Sequence, residues 1–204
     1  PRNPPGRVWI NEVDYSAGTD DFCFDGVNWT NCATAEEFVE LAGFAGSDLS
    51  GWTVEFLSDI GEVFGHYVLT NGTTIANATN GYGFYVLAQK DVPKPPRDLL
   101  ITNTFDNSLA KYVPGVIRLL NEVGGVEHVI AYGGSVLGYE NLGAVDPDLP
   151  GGFDTINSIQ MTGTGTAADE FSWVAAEYTP GAINFEQTFA QPAVIFASTG
   201  LLTY

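Results

Sequence analysis

"FVELAGFAGSDLSGWTVEF", residues 38–56, holds two strand-like runs on either side of a short Gly/Ser/Asp break. In the first run Phe38 and Glu40 share one face while Val39 and Leu41 share the other. In the second, Trp52, Val54 and Phe56 alternate with Thr53, Glu55 and Leu57. Alternation at period two marks a strand with one buried face. The break "GSDLSG" has the composition of a turn, with Asp48 placed to close it by an Asx-type hydrogen bond. Glu40 and Glu55 are expected to face solvent.

The same reading extends outward. "VWINEVDYS" is a first strand with a slip or bulge near Glu12. "GEVFGHYVL", "YGFYVLAQ", "PGVIRLLNE" and "VEHVIAYGG" are further strands, the last two forming a hairpin around "VGG". "DTINSIQMTG" and "EFSWVAA" form a second hairpin around "TGTAAD". No stretch sustains a 3.6-residue apolar stripe, and one short helix is expected at most, in "TFDNSLAKYV". Composition agrees. Thirteen Phe, nine Tyr and four Trp favour strands, and 24 Gly with 11 Pro supply turns. A chain of 204 residues carrying eight to ten short strands on one core is expected to be an all-β sandwich.

The formal charge of −18 excludes nucleic acid as a natural partner, since phosphate contacts need Lys or Arg. It also disfavours anionic lipid, and no run of about 18 apolar residues is present to enter a bilayer. The bases are unevenly placed: Lys90, Lys94, Arg97, Lys111 and Arg118 share one segment, a solvated loop or a docking patch for an acidic neighbour. Cys23 and Cys32, nine apart in a turn-rich stretch, are expected to form a disulfide, with two free thiols as the alternative. Three N-x-T sequons, at Asn28, Asn71 and Asn77, are candidate glycosylation sites. The absence of an initiator Met before Pro1 suggests a processed or trimmed chain. Together these features point to an extracellular or cell-surface protein.

Five runs in order carry a family resemblance: "INEVDY", "EEFVELAGFAGSDLSGWTVEFL", "VIRLLNEVGGVEHVIAYG", "SIQMTGTGTAADEFSWVAA" and "YTPGAIN". The set resembles the lamin-tail domain over roughly residues 8–184, with extra length near 15–35, 90–113 and 133–155. The resemblance implies an immunoglobulin-like β-sandwich with no shared catalytic residues. Bacterial relatives occur in secreted and surface proteins. Within the shared runs, Gly51 suits a turn, Trp52 a core anchor, and Pro180 and Gly181 a turn that ends a strand.

Candidate chemistry is sparse. Glu36, Glu37 and Glu40 cluster, as do Asp20, Asp21 and Asp25, but glycosidase work needs a raised pKa and a sugar cleft. "GTGTAA" places Gly163, Gly165 and Ala168 at dinucleotide-fingerprint spacing, yet outside any βαβ unit, so it reads as a hairpin turn. Ser135 does not fit the nucleophile-elbow spacing. His66 and His128 read as strand-face residues. No catalytic residue and no required cofactor is expected. Calcium is the one candidate cofactor: Asp14, Asp20, Asp21 and Asp25 form a hard-oxygen cluster in the first loop, and Asp146, Asp148 and Asp154 a second. Solvated acidic loops are the favoured reading in both places, with a calcium site in the first loop, tightened by the disulfide, as the alternative.

The expected organisation is a Pro-rich extended arm over 1–7, a sandwich over 8–184 and a C-terminal strand segment over 185–204. "AVIFA" in that last segment is apolar at successive positions and wants cover on both faces. It would serve either as the sandwich's own last strand or as a strand donated to a neighbour. The expected function is therefore a non-enzymatic structural subunit whose partner is itself, assembling head to tail into fibres. The alternative is a secreted binding module for a glycan or protein. Exposure of Trp9, Trp29, Trp52 and Trp173 discriminates the two readings.

Overall fold

In a computed structural model the described residues are 7–15, 22–24, 29–31, 37–88, 98–100, 114–140 and 157–191. They form two β-sheets packed face to face, a β-sandwich. Thirteen strands follow in chain order: β1 Val8–Asp14, β2 Phe22–Phe24, β3 Trp29–Asn31, β4 Phe38–Phe44, β5 Thr53–Leu57, β6 Val63–Val68, β7 Tyr82–Ala88, β8 Leu99–Leu100, β9 Gly115–Leu120, β10 Val126–Tyr132, β11 Asn157–Gly165, β12 Ser172–Glu177 and β13 Gln187–Phe189. The seven-stranded sheet runs β12-β11-β1-β4-β7-β8, with β13 lying parallel against β11. The four-stranded sheet runs β10-β9-β5-β6, and β2 with β3 makes a separate hairpin.

Period-two alternation built these strands as expected. Val39 and Leu41 of β4, Val54 and Phe56 of β5 and Trp52 just before β5 meet in the interior with Val8, Ile10, Ile117, Leu119, Ile130 and Tyr132. β1 keeps both Ile10 and Val13 in that interior through a register shift between Ile10 and Glu12. Two residues of one strand then face one of its partner, which flips the parity of everything beyond. The Ile10 backbone N–H at the shift donates to His128 Nδ1 at 3.1 Å, a bond from one sheet to the other. β9 and β10 form the expected hairpin, as do β11 and β12, the latter closed by a 3₁₀ turn over Ala168–Glu170. Asp48 closes its turn by accepting from the Ser50 N–H at 2.9 Å, and Gly51 takes φ +77°. The segment 104–113, with its expected helix, lies outside the described residues.

One expectation needs correction. Glu40 is fully buried, and Glu55 is 9% exposed. Alternation had placed both correctly on the outward faces of their strands, but those faces are covered. Glu55 lies beneath Arg118, whose Nε donates to Glu55 Oε2 at 3.0 Å and whose Nη1 donates to the Tyr139 hydroxyl at 3.1 Å. Arg118 is thereby tied into the four-stranded sheet and is not a free docking charge. Lys90, Lys94, Arg97 and Lys111 lie outside the described residues.

A second, smaller core covers the outer face of the seven-stranded sheet. Trp9, Ala42, Tyr82, Phe84, Met161, Phe171 and Phe189 are all buried there. Phe189 is the keystone: its ring stacks on Tyr82 at 4.7 Å and meets Phe171 edge-on at 5.8 Å, with Trp9 6.2 Å away. The first residues beyond "YTPGAIN" therefore belong to the chain's own sandwich. Residues 192–204, including "AVIFA", lie outside the described residues.

Candidate functional site

Beside this outer core sits a buried polar cluster. β1 contributes Asn11 and Glu12, β4 Glu40, β11 Ser158 and Gln160, and the C-terminal segment Asn184 and Gln187; all are at most 4% exposed. Glu12 and Glu40 are direct cross-strand partners, and Gln160 lies opposite Glu12 on the other side. Two carboxylates so placed would repel if both were ionised.

The C-terminal segment closes over the pair. Glu12 Oε1 accepts from the Ser158 hydroxyl at 2.5 Å and from the Thr179 N–H at 2.7 Å. Its Oε2 lies 3.1 Å from Thr179 Oγ1. Glu40 Oε1 accepts from Asn11 Nδ2 at 2.9 Å, and its Oε2 accepts from the Gly181 N–H. Asn184 Nδ2 donates to two carbonyls, Asn11 O and Met161 O, both at 3.1 Å. It thus satisfies backbone acceptors where β1 and β11 part company. Gln187 Nε2 donates to Asn11 Oδ1 at 2.7 Å.

Burial pushes the Glu12 carboxyl up to about 7, with the nearby Asp14 charge adding to the rise and the bonds from Ser158 and Thr179 opposing it. Burial likewise holds Glu40 well above the usual carboxylate range, and the Glu12 and Asp98 charges act in the same direction. A raised pKa is what a general acid needs. Here, however, both side chains are fully enclosed and their oxygens are spent on the protein's own donors. The arrangement ties segment to sheet.

The sequence-derived candidates fall elsewhere. Asp14 is buried in β1 at 2% exposure, while Asp20, Asp21, Asp25, Asp146, Asp148 and Asp154 lie outside the described residues. Among the described residues no group of three His, Cys, Asp or Glu could hold a metal ion. Cys32 and Asn28 are outside the described residues as well, and of Cys23 only the backbone, paired with Thr30, is described. Asn71 and Asn77 are exposed in the connection between β6 and β7. Glu37 is buried and Glu36 lies outside the described residues. Gly163 and Gly165 end β11, and Ala168 opens the 3₁₀ turn, so "GTGTAA" is part of a hairpin connection. His66 and His128 lie on β6 and β10. Trp9 and Trp52 are buried in the two cores and Trp173 packs partly buried against both.

Asn11, Glu12, Thr179, Asn184 and Gln187 were not singled out by sequence reasoning. The available signal was their place in "INEVDY" and "YTPGAIN": polar residues interrupting a strand at one end, and a Pro-Gly turn followed by Asn at the other. No family model and no curated protein matches the chain.

Proposed function

We propose that this chain is a non-enzymatic structural protein of the cell exterior, a surface or fibre-forming subunit that assembles by β-strand addition. The observation that carries this reading is β6. Among the described residues it has a single strand neighbour, β5, and stands at the edge of the four-stranded sheet. Its sequence VFGHYV contains no Lys, Glu, Asp or Pro, and Val63 and Val68 are 47% and 51% exposed. Edges that must stay single are normally guarded by charge, proline or a bulge. The register shift opposite Phe56 and Leu57 of β5 falls between Val63 and Gly65, near the start of β6, leaving Gly65–Val68 regular and available to a neighbour's strand. The chain's own apolar run "AVIFA" is the complementary donor in sequence terms.

Further support comes from the carboxylates, because the acids that a hydrolase would use are engaged in holding the fold. The exterior assignment draws on the Cys23/Cys32 pair and on the exposed sequons at Asn71 and Asn77. For the alternative, a glycan- or protein-binding module, Trp9 and Trp52 are buried and offer no groove, while the Trp29 side chain lies outside the described residues.

Light scattering and negative-stain microscopy test the reading on three chains: the unaltered protein, Val68→Lys, and a chain lacking residues 192–204. Assemblies that vanish in either variant are the expected result. A monomer of 21.8 kDa for all three across a wide concentration range would overturn it.

A further inference from the structure

Among the described residues the main core draws no side chain from 179–190: Val8, Ile10, Val39, Leu41, Val54, Phe56, Ile117, Leu119 and the other buried members lie between residues 8 and 159, with Trp173 of β12 packed partly buried against them. The segment from Thr179 to Ala190 is held by a different set of contacts. These are the Phe189 ring, the short parallel ladder Gly163–Gln187 to Gly165–Phe189, and the bonds of Thr179, Gly181, Asn184 and Gln187 to the polar cluster. Such a unit can open while the sandwich stays folded.

The proton arrangement around Glu12 and Thr179 has one fully satisfied form. Thr179 Oγ1 has a single hydrogen and two acceptors within 3.1 Å, Glu12 Oε2 and Asn184 Oδ1. If Glu12 carries a proton, its O–H donates to Thr179 Oγ1, and Thr179 then donates to Asn184 Oδ1. Every polar atom in the relay has a partner. If Glu12 is ionised, the threonine proton must serve the carboxylate, and Asn184 Oδ1 loses its donor. Burial makes that loss costly, and the adjacent Glu40 adds like-charge repulsion.

We infer that Glu12 and Glu40 form a proton-held latch: the segment 179–190 stays docked while the pair keeps its protons and lifts when they leave, uncovering Trp9 and the outer core. The groups facing the pair are all acids or neutral. β1 brings Asp14 and Asp98 precedes β8, while Glu37, just before β4, lies on the main-core side near Tyr67 and Tyr132. β11 offers only Ser158 and Gln160. On the covering chain, Tyr178 packs over Phe38, Val86 and Ala88, while Glu177 and Glu186 are exposed to water. No basic group among the described residues is a partner of either carboxyl. Loss of the protons is therefore not offset locally.

The sign follows. Both groups titrate higher when folded than when unfolded, so the docked state binds more protons than the open one. Docking is strongest below the ordinary carboxylate range and weakens as pH rises through about 7 and beyond. One proton released corresponds to about a tenfold loss of docking per pH unit.

Hydrogen exchange on the full chain between pH 6 and 9 tests the latch, with each rate corrected for intrinsic exchange. The protection factors of Gly163, Gln187 and Ala190, whose amides donate within or across the docked segment, should fall about tenfold per pH unit above roughly pH 7. Amides of Val54 and Ile117, in the β5–β9 ladder, should hold. Glu12→Gln, which presents an amide donor to Thr179 in place of the acid proton, should remove one tenfold-per-unit step. Equal pH slopes in the variant and the unaltered chain would overturn the inference. So would parallel loss of protection in both regions. Should Glu12→Gln fail to fold, a carbon-detected NMR titration of the unaltered chain decides the matter: a Glu12 carboxyl titrating below 5 rejects the latch, and one titrating near 7 supports it.

Discussion

Phe189→Ala is the perturbation that most directly probes how the C-terminal segment contributes. Phe189 is 2% exposed and touches three aromatic partners at centroid distances below 6 Å: Tyr82 at 4.7 Å, Phe171 at 5.8 Å and Phe84 at 5.9 Å. Truncating a phenylalanine in such a site removes its transfer free energy and leaves a cavity, costing about 3–5 kcal/mol. At roughly 2–4 °C per kcal/mol for a chain of this length, the midpoint should fall by on the order of 10 °C. Phe185→Ala is the internal control. Its ring is 55% exposed, and its contribution to the cluster is a backbone N–H donated to Gln160 Oε1, which the substitution leaves in place. That variant should stay within about 0.5 kcal/mol of the unaltered protein. Urea unfolding followed by far-ultraviolet circular dichroism gives the stabilities. Tryptophan emission reports on Trp9, which should shift to the red only in Phe189→Ala. Indistinguishable midpoints for the two variants would refute the account of the outer core.

Further outcomes follow from individual residues. Burial pushes His128 down to about 4, against an ordinary value of 6.5, so the unfolded chain takes up a proton that the native one does not. Stability should fall as pH drops from about 6.5 to 4, by up to roughly 3 kcal/mol, less whatever water reaching the half-buried ring restores. Glu12 acts in the opposite direction over much of that range. The difference between the unaltered chain and His128→Gln in urea midpoints at pH 4, 5, 6 and 7 isolates the histidine, and a flat difference would reject its role. At Gly83, a Cβ would lie 1.6 Å from the Ala76 carbonyl oxygen, so Gly83→Ala should cost more than about 4 kcal/mol or prevent folding. Gly72→Ala, with φ +85° but open space around it, should cost only about 1 kcal/mol by thermal melting. Equal losses at the two glycines would contradict the close approach of Ala76 to the sheet.

Much of the fold was legible in order. The hairpins at "VGG" and "TGTAAD", the Asx turn at Asp48, the bulge near Glu12 and the interior place of Trp52 all follow from local rules of period, turn chemistry and parity. Those rules act over a few residues, so one chain suffices to read them. The site was not legible. Glu40 alternates with Val39 and Leu41 like any outward-facing acid, and nothing within β4 reveals that a chain 141 residues away will lie on top of it. Glu12 is capped from 167 residues away and Asn11 is bridged from 173.

The sequence by itself determined which residues are strands, which side chains share a face, and where the chain turns, because each depends on neighbours a few positions apart. Only the tertiary structure decided which faces are dry. Period two separates the two sides of a strand but carries no information about what covers either side. For that, the segment after "YTPG" had to fold back across β1 and β11, bury Phe189 against Trp9 and Tyr82, and take two carboxylates out of water.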